Sequence, residues 1–176
     1  MDSTNFGAYT REGLVENVKV PKKVSYHSLK QSLHNPVASS SDGMLITPDL
    51  GKFGRSDILH LSFCAVFQFQ KDFSRLPTTT DFQAVLAYVK KINEANKTSG
   101  GINIEDINEK VVLNVSSYCH SCLSPMAAFF GGIVAQEIVK LTGKYSPLKQ
   151  WLHFDIFETL PRIQVDRTPM NCRYDD

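Results

Sequence analysis

The sequence predicts a mainly α fold, a helical bundle with a few short β-strands at both ends. Three observations predict it. Between residues 57 and 122 apolar side chains recur at intervals of three and four, the signature of helices that bury one face. Capping and stop signals cut that stretch into successive helices. Outside it, "LVENVKV" and "QWLHFDIF" carry strand character.

Taken in order, residues 8 to 33 suit two short extended segments, "LVENVKV" and "KKVSYHSL", broken at Pro21. Residues 34–56 are dense in Ser, Gly, Pro and Asp and read as a loop. Its "GKFGR" lacks the spacing of a Walker phosphate cradle. The first bundle helix is expected over 57–73, with Leu59, Phe63, Val66 and Phe73 on one face and Ile58, Leu61 and Phe67 widening it. The second starts behind Thr79 or Thr80, aligns Phe82, Val85, Leu86, Val89 and Ile92, and stops at "NKTSGG". The third is expected to be capped by Asn103, to align Ile104, Ile107, Val111 and Val115, and to end near Tyr118 to Cys122. Short connections between them favour antiparallel packing.

A fourth helix runs through "SPMAAFFGGIVAQEIVKLTG". Ser124 is its expected cap, Pro125 its first position and Gly143 its stop, with Phe130, Ile133, Val134, Ile138 and Leu141 as its stripe. Gly131 and Gly132 stand in its middle, where each costs about 1 kcal/mol relative to alanine. Glycines tolerated at that cost point to something approaching the backbone closely. After this helix, "QWLHFDIF" is apolar on both alternating faces, which suits a strand covered on two sides. The strands needed to build that sheet are not found in these 176 residues.

Composition excludes several classes. Nineteen Lys and Arg against 18 Asp and Glu give a net charge of +1 with no basic stripe, so no nucleic-acid partner is expected. No apolar run approaches the roughly 18 residues of a bilayer span and the start is polar, so neither membrane nor signal peptide is expected. Cys64, Cys119, Cys122 and Cys172 are too few for a disulfide framework. Cys119 and Cys122 form one C-x-x-C around His120, with no second ligand pair for a structural zinc site, and are expected to be buried or half-buried thiols. His153 is expected to be a packed histidine, Asp155 to serve a strand end or a domain interface, and Asp155 and Glu158 take no acid and base roles from spacing alone.

The stretch "SPMAAFFGGIVAQEIVKLTGKYSPLKQWLHFD" followed by "ETLP", with "VKVPKKVSYHSL" upstream and "NCRYDD" at the end, resembles the middle of the eukaryotic ubiquitin-activating enzymes. The likeness is strongest over 17–33 and 124–161. It implies an internal segment of a larger α/β enzyme: residues 1–33 as the tail of the first catalytic cysteine half-domain and return strand, 34–56 a loop, 57–123 the helical bundle, 124–161 helix and strand of the inactive adenylation domain, and 162–176 a linker to the active one. The full-length parent would use ATP and magnesium to adenylate the ubiquitin C-terminus, form a thioester on its catalytic cysteine, and hand the acyl group to a conjugating enzyme. It would work in the cytoplasm and nucleus.

No G-x-G-x-x-G follows a strand here, and no cysteine sits in the surroundings of the family's nucleophile. The segment is therefore expected to contribute no catalytic, cofactor-binding or metal-binding residue. Its partners would be the remaining domains, and the apolar surface they cover would let it self-associate when isolated. A segment of an activating enzyme for another ubiquitin-like protein, and an independent helical adaptor, are the alternatives.

Overall fold

In a computed structural model the described residues are 2–11, 14–23, 25–36, 46, 55–142 and 145–158. The chain opens with two antiparallel strands, β1 (Asp2–Arg11) and β2 (Leu14–Lys23), paired from Asp2 opposite Lys23 to Arg11 opposite Leu14. Pro21 does not break β2 as expected; it pairs with Thr4. In a ribbon of two strands every strand is an edge, so a missing N–H can face outward without removing a ladder bond. The second extended segment, "KKVSYHSL", is also corrected. It turns into helix α1 (Leu29–His34), because the Ser28 hydroxyl accepts from the Gln31 N–H at 3.3 Å and caps it.

The bundle is built by α2 (Arg55–Phe73), α3 (Phe82–Ser99) and α4 (Glu109–Tyr118), which contact one another pairwise. On α2 the buried face is Ile58, Leu59, Leu61, Ala65, Val66 and Phe69. Phe63, Phe67 and Phe73, expected inside, are 41, 49 and 54% exposed. Ser62 and Ala65 explain this shift of the buried face. Both are fully buried, and the Ser62 hydroxyl is satisfied by the Ile58 carbonyl at 2.7 Å, so small side chains let the neighbouring helices approach while the large rings flank the contact.

Val85, Leu86 and Val89 of α3 are buried as expected, with Phe82 and Ile92 packed at the margin. Its start differs: Thr79 and Thr80 lie within a 3-10 turn (Thr79–Asp81). The Asp81 carboxylate organises that turn by accepting from the Thr78 N–H at 2.8 Å and from both terminal nitrogens of Arg75 at 2.7 and 2.8 Å, which holds Asp81 well below the usual carboxylate range. At the other end Gly100 takes φ +75° and closes the helix in the left-handed conformation expected of "NKTSGG".

The third bundle helix is shorter than its apolar spacing predicts. It begins at Glu109, and Asn108 rather than Asn103 is its cap, with the side-chain oxygen accepting from Lys110 and Val111. Residues 101–108 stay irregular because Asn93, buried on α3, takes both backbone groups of Ile104. Its amide donates to the Ile104 carbonyl at 2.8 Å and its oxygen accepts from the Ile104 N–H at 2.9 Å. Ile104 and Ile107 still reach the core, but from an irregular segment.

Helix α5 (Ser124–Val139) follows, prolonged by a 3-10 turn (Lys140–Thr142). Pro125 is in its first turn, whereas the cap position is Leu123 rather than Ser124. The expected strand over "QWLHFDIF" is not formed. Trp151 alone makes a parallel bridge, to Ile46, and a 3-10 turn occupies Ile156–Glu158. Without neighbouring strands an extended segment has no ladder to hold it. Among the described residues no helix is long and apolar enough to cross a membrane. The "GKFGR" cluster up to residue 54, most of the 34–56 loop, the Gly143 stop, Cys172 and the 162–176 linker lie outside the described residues.

Candidate functional site

Two features stand out from the bundle: a helix whose apolar surface is uncovered, and the junction that ties it back. No residue of α5 is buried. Of its expected stripe, Val134 and Ile138 are 56 and 59% exposed, Leu141 is exposed, and only Phe130 and Ile133 are half-covered. A Cβ built on Gly131 or Gly132 meets no atom within 4 Å, so no part of the described chain makes the close approach those glycines suggested. This sixteen-residue helix is apolar over most of its circumference, and none of its residues is buried.

Helix α5 packs against residues 145–158, and its 3-10 extension also touches β1. Phe129 and Phe154 pack with ring centroids 4.5 Å apart, and the Glu137 carboxylate accepts from the Leu148 N–H at 2.8 Å while pairing with Lys140. That segment in turn grips the bundle. Gln150 donates to the His27 carbonyl at 2.7 Å, Arg55 at the start of α2 pairs with Asp155 at 2.8 Å, and the Phe157 ring lies 5.1 Å from Tyr118. Asp155 thus anchors the segment to α2 and also accepts from the Phe157 N–H at 3.0 Å. It serves no strand end.

At the centre of the junction is a histidine pair. His60, buried on α2, has Nε2 2.9 Å from the Leu33 carbonyl and Nδ1 3.1 Å from Nε2 of His153. A carbonyl only accepts, so His60 carries its proton on Nε2, and neutral His60 accepts at Nδ1 from His153. Trp151 and Phe63 complete the aromatic cluster, at 6.2 and 6.0 Å from the His153 ring. Burial pulls His60 down from its ordinary value and His153 to about 4. His153 is packed, as the sequence predicted. Its partner His60 was missed, because 93 residues of chain separate them and neither carries a motif; nor did Arg55 or Asn93 carry one.

The cysteines do not converge. Cys64 is half-buried on α2, its thiol directed to the Leu33 carbonyl and pushed up to about 11 by burial. Cys119 is half-buried against the Pro77 and Ser116 carbonyls, with its thiol also raised by burial. Cys122 and His120 are exposed, so of the C-x-x-C only Cys119 is the half-buried thiol expected. A raised thiol carries little thiolate, which leaves Cys64 and Cys119 poor nucleophiles. Among the described residues no three His, Cys, Asp or Glu side chains are grouped to hold a metal ion.

Taken together, the fold and the junction define a helical-bundle module carrying one apolar, uncovered helix. Residues 20–93 match the family described as the ubiquitin-activating enzyme E1 four-helix bundle, a span that takes in α1, α2 and α3 up to Asn93. The whole chain is similar to ubiquitin-activating enzyme E1 1 of Triticum aestivum, 40% identical over 181 residues, and to E1 1 of Arabidopsis thaliana, 35% identical over 178. It is also similar to ubiquitin-like modifier-activating enzyme 1 of Homo sapiens, 33% identical over 183 residues. Each alignment takes in 99% of this chain and 16% of the relative. The chain is thus similar throughout to a segment of ubiquitin-activating enzymes, with residues 20–93 matching the four-helix-bundle family, and it spans about one sixth of the length of those relatives.

Proposed function

We propose that the chain acts as a non-catalytic structural segment of a ubiquitin-activating enzyme. In this reading the rest of that enzyme binds ATP and magnesium, adenylates the ubiquitin C-terminus, and forms the thioester on a cysteine outside these residues before transfer to a conjugating enzyme. The domain layout follows the resemblance: 1–33 closes the first cysteine half-domain, 34–56 is a loop, 57–123 is the bundle, 124–161 returns to the inactive adenylation half, and 162–176 leads to the active one. Cytoplasmic and nuclear placement follows from the same resemblance.

One observation carries the proposal. The similarity extends over 99% of the chain and includes α5, the helix with no buried residue. Covering α5 with the remaining domains would remove its apolar surface from water, at roughly 25 cal/mol for each Å². A thioester assay with ATP, magnesium and ubiquitin tests the reading. The 176-residue chain alone forms no adduct, whereas the wheat relative in which this chain replaces the aligned segment retains adduct formation. An adduct on the isolated chain, or a dead replacement whose fold is intact, overturns it.

A further inference from the structure

We propose that the His60–His153 pair is a proton-operated clasp, closed when both rings are neutral and opened by acid, that fastens residues 150–158 and the attached α5 to the bundle. The bond is directional: His153 donates to His60, and His60 donates to Leu33 of α1. One relay of neutral imidazoles therefore links α1, α2 and the trailing segment. A proton taken up at Nδ1 of His60 turns the acceptor into a donor facing another donor at 3.1 Å, and the bond is lost. A proton taken up at the outer Nδ1 of His153 keeps the bond but places a charge within a half-buried aromatic cluster. Two protons put like charges on rings whose centroids are 5.2 Å apart.

The charged and titratable groups around the pair do not cancel this. Asp57, one turn earlier on α2, favours the charged form of His60, yet burial outweighs it and raises Asp57 itself. Asp155 on the trailing segment is engaged by Arg55 of α2. His34 of α1, with Cys64 and Lys71 of α2, lines the cavity of about 300 Å³ that His60 also borders, and the Lys71 ammonium adds positive charge there. The side-chain contacts of α5 described above run to residues 145–158, and its 3-10 extension also touches β1. Opening the clasp consequently removes one tie of residues 150–158 and loosens the α5 unit, while the Arg55–Asp155, Gln150–His27 and Phe157–Tyr118 contacts and the α2–α4 core stay in place. The inference goes beyond the proposed enzyme membership and stands on the junction alone.

The direction and size follow from linkage. A histidine held neutral in the closed form, with its value near 4 against 6.5 when open, favours closure fully above about pH 6.5 and loses that advantage as pH falls toward 4. At about pH 5 the open-to-closed ratio rises about twentyfold over its value at about pH 7. Trp151 is the only tryptophan in the chain and lies beside both rings, so its fluorescence reports the event. Titrating the 176-residue chain from about pH 8 to about pH 4.5 is expected to change Trp151 emission with a midpoint below 6.5, while far-ultraviolet circular dichroism keeps the bundle signal. His153→Gln supplies a non-titrating amide donor to His60 and is expected to flatten the change. His153→Phe keeps the ring but removes the donor, and is expected to show acid-like emission already at neutral pH. Flat wild-type emission, an unchanged transition in His153→Gln, or loss of the helical signal at the same midpoint each overturns the clasp.

Discussion

Replacing Gly131 and Gly132 by alanine separates what α5 needs in this chain from what it would need in a longer protein. Neither added methyl meets an atom within 4 Å, so no clash offsets the gain in helix propensity, about 1 kcal/mol per site and about 2 kcal/mol for the pair. Since α5 has no buried residue, the gain acts on local opening of the helix rather than on unfolding of the bundle. Hydrogen exchange of the α5 amides is the matching assay. About 2 kcal/mol corresponds to protection increased about thirtyfold in the middle of the helix, with the α2 and α3 amides unchanged. Placed at the aligned positions of the wheat relative, the same two methyls are expected to lower adduct formation, because there the proposed neighbours crowd that backbone. Decreased α5 protection in the isolated chain would refute the first half of this reasoning, and full activity of the substituted relative would refute the second.

Substitutions at two further positions test the bundle. Asn93→Ala removes both hydrogen bonds to Ile104 and is expected to cost about 2–3 kcal/mol, read as a lowered urea midpoint, with Asn93→Asp also destabilising because a carboxylate cannot donate to the Ile104 carbonyl. Phe69→Ala empties the site of a ring that is 1% exposed and packs against Phe73 and Tyr88; a loss of about 3–5 kcal/mol is expected, measured by the same denaturation.

How much of this was legible in the sequence varies by element. The face of α3 was read correctly because Val85, Leu86 and Val89 lie at helical spacing between a clear start and the Gly100 stop. The start of α4 was misread because Ile104 and Ile107 fit the same spacing, and only the arrival of Asn93 shows which hydrogen bonds win there. On α2 the pattern held more apolar residues than one face can bury, so the sequence could not say that Ser62 and Ala65, rather than Phe63 and Phe67, would mark the inside. The candidate junction was the least legible part. His153 was seen as packed, but His60, Arg55 and Trp151 act there as partners in space and carry no local motif.

The helical character of α2, α3 and α5, the helix stop at Gly100 and the near-neutral charge balance follow from the residues in order, because propensity, spacing and capping act over a few neighbours. So does the over-apolar makeup of α5, which can be counted without knowing what surrounds it. Which rings are inside, where α4 begins, and how the trailing segment is held were settled only in three dimensions. Those outcomes depend on groups far apart in sequence competing for the same buried space and the same hydrogen bonds, and Asn93 with Ile104 and His60 with His153 show that competition decided.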